Sequence, residues 1–126
     1  MPKINTYKDL LVWQKSHELA KEVLDVCENF NGSASSKTIA GQLIQSATSI
    51  PANIAEGYGG RMGKELISFL FNARKSLTET DYWLLLASER GLVKKEKAEQ
   101  LQGEYLELNK MINARMTRIM DRERRS

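Results

Sequence analysis

The sequence predicts an all-α protein folded as an antiparallel up-down-up-down four-helix bundle. Three observations carry that prediction. Most of the 126 residues belong to long stretches rich in Ala, Leu, Lys, Glu, Gln, Arg and Met, which lose least on entering a helix. Apolar residues recur three and four apart in four separate stretches, the period of one helix face. Only two prolines occur, one of them Pro2, and no stretch alternates with the period of a strand.

Helix one is predicted over about residues 7–30, opening after Asn5-Thr6, either of which suits an N-cap. Val12, Ser16, Leu19, Val23, Val26 and Phe30 form one face, with Trp13, Ala20, Leu24 and Cys27 in a stripe beside it. Asn31-Gly32 stops it. Helix two is predicted over about 36–58, with Leu43, Ala47, Ile50, Ile54 and Tyr58 on its apolar face. Pro51 falls inside, and because the period stays in phase on both sides the expectation is a kink rather than two helices. The glycine-rich segment from Gly57 to Gly63 ends it.

Helix three, about 64–90, presents Leu66, Phe69, Leu70, Ala73, Leu77, Thr80, Leu84 and Ala87 on one face, and Gly91 marks its end. Ile67, Phe71, Trp83 and Leu85 lie outside that face. A helix apolar over so much of its circumference needs a second surface to bury against, so self-association is expected. Helix four, about 95–120, has its seam at Ala98, Leu101, Tyr105, Leu108, Ile112 and Ile119, with Met116 replacing the interrupting Arg115. Residues 121–126 hold no apolar side chain and are expected to fray. Short connectors join antiparallel neighbours, and the length suits one domain with one core.

Hydrophobic residues at 41% against 28% charged exclude a disordered chain. No stretch approaches the roughly 18 uncharged apolar residues of a membrane span, and no apolar signal region opens the sequence. A single cysteine, Cys27, cannot form an intrachain disulfide. These features point to the cytoplasm. Charge is uneven: residues 1–60 carry 5 basic and 6 acidic groups, net −1, whereas 61–126 carry 14 and 10, net +4. From Lys110 onward Lys110, Arg115, Arg118, Arg122, Arg124 and Arg125 face only Asp121 and Glu123. Such an end suits an anionic partner; it also complements the helix dipole, which needs no partner at all.

No catalytic constellation emerges. A di-metal bundle needs Glu-x-x-His pairs, and the chain has one histidine, His17, with no Glu three residues before it. His17-Glu18-Leu19-Ala20-Lys21 places lysine where a zinc-binding HExxH motif needs its second histidine. Gly63-Lys64 fails as a phosphate loop because Tyr58 and Glu65 stand where glycine and Ser/Thr are required. The chain is therefore expected not to be an enzyme and to hold no cofactor or metal. Arg61 and Lys64 beside the glycines suit a polynucleotide phosphate at the start of helix three, although a helix turn needs such glycines for its geometry alone.

Asp9-Leu10-Leu11-Val12-Trp13-Gln14-Lys15, then Ser49-Ile50-Pro51-Ala52-Asn53-Ile54-Ala55-Glu56-Gly57, then Phe69-Leu70 with Ala73, Ser76-Leu77 and Glu79 occur in that order. Together, over about residues 7–115, they resemble the four-helix-bundle proteins encoded within intervening sequences of bacterial large-subunit (23S) ribosomal RNA genes, relatives of the accessory proteins of diversity-generating retroelements. The resemblance implies a non-enzymatic bundle that assembles as a homopentamer, and the retroelement relatives bind nucleic acid and a reverse transcriptase. Two departures bear on this. Ile44 and Gln45 replace basic residues in mid helix two, and Lys75 replaces a glycine, which argues against a close helix approach there.

The residues expected to meet RNA or DNA are Arg61, Lys64, Lys110, Arg115, Arg118 and Arg122. Ser49, Asn53 and Glu56, three or four apart, share a face suited to bonding neighbouring helices and to satisfying the carbonyl that Pro51 frees. Gly57 closes that motif, and Trp13, like Trp83, is expected to anchor the core or a subunit contact. A protein-interaction scaffold without nucleic-acid affinity is the alternative.

Overall fold

The computed structural model describes residues 4–59 and 64–125. Four helices follow a short 3-10 turn at Tyr7–Asp9: α1 (Leu11–Glu28), α2 (Ala34–Gly59), α3 (Lys64–Glu89) and α4 (Lys95–Arg125). They pack as an antiparallel bundle in which α2 and α3 share the most extensive contact.

Helix one starts later than its apolar period. The Thr6 hydroxyl accepts from Lys8 N at 3.2 Å, and the Asp9 carboxylate accepts from Asn5 N and Thr6 N at 2.8 and 3.1 Å. This box closes the turn at Asp9 and leaves Leu10 extended, with its side chain buried in the core. Those two backbone donors hold the Asp9 carboxyl below its ordinary value. At the other end of the bundle, Gly91 takes the left-handed φ of 73° that closes a Schellman turn, with Leu92 N donating to Ala87 O at 2.9 Å.

The core runs the length of the bundle through Val23, Leu43, Ile50, Ile54, Leu70, Leu84, Leu101, Tyr105, Leu108 and Ile112, all essentially inaccessible. Cys27 is buried at its edge, where desolvation pushes the thiol up to about 11. An unreactive thiol is the consequence. Tyr105 is likewise raised, by burial first and the charge of Glu22 second. Two cross-helix ion pairs, Lys15–Glu104 and Lys97–Glu22, tie α1 to α4.

The α2–α3 seam is polar within an apolar core. Thr80 Oγ1 donates to Ser46 Oγ at 2.9 Å, and Ser76 Oγ donates to Ser49 Oγ at 3.0 Å. Asn53 Nδ2 completes the ladder by donating to Ser49 Oγ and Ser49 O. Lower down, a Cβ on Gly57 would stand 2.7 Å from Phe69 Cβ, so the two backbones approach as closely as glycine allows. The close approach persists despite Lys75, whose side chain is exposed while Ser76 makes the contact. Small hydroxyl residues, rather than a glycine at 75, permit it.

Thr80 is wholly buried and bonds both Ser46 Oγ and Ser76 O. Thr80→Val keeps the shape and removes both bonds, so urea denaturation is expected to show a loss of about 1–2 kcal/mol. An unchanged midpoint would mean the ladder carries no net stability.

Candidate nucleic-acid interface

Helix α4 is the longest element at 31 residues, and its buried series ends at Ile119. Residues 120–125 remain helical, with Met120 still partly covered and the charged residues after it exposed. The helix thus continues past residue 120, where the sequence places its end: an ion pair joins Arg124 to Asp121, and three arginines in the last turn complement the C-terminal dipole. A basic helix tip stands clear of the core.

Arg115, Arg118, Arg122 and Arg125 are spaced three, four and three apart. At about 100° per residue they fall within a band of about 80° on one side of α4, over about 15 Å of axis. Arg118, Arg122 and Arg125, with Asp121, line a shallow cleft of about 280 Å³. Arg115 differs from the others because it is half-buried. Its guanidinium is held below its ordinary value by burial first, then by the charges of Arg118 and Arg122, with Tyr58 acting in the opposite sense. Like charges held this close favour an anion among them.

The stripe rests on ordered neighbours. The Tyr58 hydroxyl donates to Ile4 O at 3.1 Å, pinning the N-terminal segment to the end of α2. That segment, the last turns of α2 and the basic end of α4 lie at the same end of the bundle.

Of the residues expected to meet nucleic acid, the structure brings together Arg115, Arg118 and Arg122. Lys110 is exposed but turned about 140° from Arg115, outside the band. Arg61 lies outside the described residues; Lys64 opens α3, and its side chain is not among those described. Arg125 joins the stripe although the sequence alone places it on a fraying end; its spacing from Arg122 is the signal that could have found it.

The motif residues divide in the same way. Ser49 and Asn53 bond across and along the α2–α3 seam, but Asn53 reaches the Ser49 carbonyl rather than the Ala47 carbonyl that Pro51 leaves free. Pro51 is buried within an uninterrupted α2, and Glu56 is exposed. Trp13 is half-buried against the core, stacked on His17 at 4.6 Å and met edge-on by Tyr7.

A second surface lies on α3 and α4. Phe71, Tyr82 and Leu85 are exposed by 44, 53 and 47%, and Leu106 of α4 by 57%. Arg74 sits 4.8 Å over the Phe71 ring and donates to Asn113 Oδ1 at 2.8 Å. Between the helices runs a groove of about 190 Å³ floored by Leu77, Tyr105 and Asn109. Among the described residues, no group of three His, Cys, Asp or Glu side chains is placed to hold a metal, and no helix is long and apolar enough to cross a membrane.

A family model described as 23S rRNA-intervening sequence protein matches residues 8–114. The chain is also similar to a crystal structure from Bacteroides thetaiotaomicron, described as a protein of unknown function from the S23 ribosomal protein family. The two share 27% identity at a TM-score of 0.78, over 84% of this chain and 98% of that one. No curated protein matches.

Proposed function

As the chain belongs to the 23S rRNA-intervening sequence protein family, we propose that it is a non-enzymatic, self-associating bundle that binds nucleic acid through Arg115, Arg118 and Arg122. The observation that carries this reading is the arginine stripe itself. Arg118 and Arg122 stand close enough to Arg115 to add to the lowering that its burial causes, on a side of α4 that flanks the buried seam. Phosphate oxygens are acceptors of matching charge, and arginine meets them with two parallel donors. Such contacts position a backbone and read no bases.

Self-association supports the same reading by multiplying a small patch. One subunit offers too few cations for tight binding, and a closed ring repeats them around one rim. The exposed apolar side chains of α3 and α4 supply a surface for that assembly; five subunits is the number the family resemblance implies.

The test reverses Arg118 and Arg122, which are exposed, and spares half-buried Arg115, whose loss would also disturb packing. Fluorescence anisotropy with RNA and DNA oligonucleotides at low salt should show binding by the native protein that weakens steeply as salt rises. Arg118→Glu/Arg122→Glu should weaken it at least about tenfold with helicity unchanged. Undetectable binding at low salt, or equal binding by both proteins, would favour the scaffold reading.

A further inference from the structure

We infer that the arginine ridge of α4 grips the paired phosphate backbones of a duplex rather than a single strand. The inference rests on the nucleic-acid reading above and narrows its ligand. Single-strand surfaces combine cations with aromatic faces on which unpaired bases stack. This ridge has no such face beside it among the described residues. The sole aromatic residue of α4, Tyr105, is buried in the core. Tyr58, which lies beside Arg115, is half-buried with its hydroxyl committed to Ile4 O. The rings of Tyr7, Trp13 and His17 are occupied with one another, and Phe71 is capped by Arg74. Cations are present without platforms.

What the ridge does offer is a straight row along one side of a helix. Arg115, Arg118, Arg122 and Arg125 follow about 15 Å of helix axis, at steps of about 4.5 to 6 Å. A duplex presents one charge per roughly 1.7 Å of its axis, about twice the density of either strand alone, and holds those charges in fixed geometry. A row fixed on one helix gains more from an array of fixed geometry than from a flexible strand, because less backbone freedom is then lost on docking. The exposed tip beyond Ile119 is a lone helix end of about 10–12 Å diameter, narrow enough to lie along a groove while its arginines reach the phosphates on the edge.

The experiment compares the full chain on four probes of equal length and mixed sequence, namely single- and double-stranded RNA and single- and double-stranded DNA, at several salt concentrations. Binding to either duplex at least about tenfold tighter than to its single strands is the expected result. For the native protein on DNA duplex, the slope of log affinity against log salt should become shallower by about 1.8 when Arg118 and Arg122 are reversed together, at about 0.9 for each phosphate no longer neutralised. Arg122→Glu/Arg125→Glu should act alike. Lys94→Glu/Lys95→Glu changes net charge equally at the far end of α4 and should leave that slope unaltered. Equal or tighter binding to single strands would overturn the duplex inference and leave the nucleic-acid reading standing. Absence of binding to all four probes would overturn both. A slope lowered as much by the lysine pair as by the arginine pairs would show a general charge effect and remove the ridge.

Discussion

Gly57→Ala should destabilise the bundle by about 1–3 kcal/mol, even though alanine is ordinarily the better helix residue by about 1 kcal/mol. The new Cβ would lie 2.7 Å from Phe69 Cβ and 3.1 Å from Leu66 Cδ1. The first of these approaches has no rotamer to escape into, because both atoms are fixed to backbone. The two helices must therefore part, by about 0.7 Å for the 2.7 Å approach to reach ordinary van der Waals contact. The hydroxyl bonds between Ser49 and Ser76 and between Ser46 and Thr80 lie on the same seam and would stretch with them. Gly57→Val should cost more still. Gly41→Ala and Gly103→Ala are the controls, since nothing stands within 4 Å of a Cβ at either and both lie within helices. Those two should gain up to about 1 kcal/mol in urea denaturation. Equal behaviour of all three alanine variants would show that α2 and α3 are not as close as described.

The seam shows how far the sequence can be read. Three- and four-residue apolar intervals are enough to place four helices and nearly every core side chain, because a helix in a small bundle draws most of its stability from burying one face. The ends are less legible. The start of α1 is decided by a contest between helix period and the Thr6–Asp9 box, and periodicity alone extends the helix through Leu10. Gly57 is legible as the end of the Ser49–Gly57 motif and as part of a glycine-rich stop. Its place inside α2 depends on Phe69 across the seam, a proximity that no local pattern encodes. The signal lies in pairing, with Ser46, Ser49, Asn53 and Gly57 on one helix matched by small residues Ala73, Ser76 and Thr80 on the next.

The arginine stripe is half legible for a related reason. The charge excess after Lys110 is plain in the composition, but composition does not say which charges share a face. Helical rotation sets Lys110 apart from Arg115, and continuation of the helix to Arg125 adds a fourth member. Beyond Met120 the tip buries no apolar side chain, which by itself favours fraying. Capping of the dipole by terminal arginines and the Asp121–Arg124 pair favour helix there without burial. Arg115 is set apart by what it packs on rather than by its neighbours in sequence: the Tyr58 end of α2 comes beside it only in the folded chain.

Phe71→Glu/Leu85→Glu is expected to convert a discrete multimer into a monomer. Both side chains are nearly half exposed on the outer side of α3, so introducing charge there should change the stability of a single subunit by only about 0.5 kcal/mol each. In a subunit interface the same carboxylates would be buried without partners, which costs several kcal/mol per ion and is repeated at every interface of a ring. Light scattering coupled to size exclusion at micromolar concentration should give a multiple of the 14.3 kDa chain for the native protein and the chain mass for the variant. Far-ultraviolet dichroism should stay helical in both. A native protein that elutes as a monomer would refute self-association. A variant that remains assembled would move the interface away from α3, towards the exposed Leu11 of α1 and Ile44 of α2. The variant also separates valency from chemistry. It keeps Arg115, Arg118, Arg122 and Arg125 intact, so if a ring supplies avidity its affinity for nucleic acid should fall by two or more orders of magnitude with no arginine changed, roughly the gain that linked sites provide.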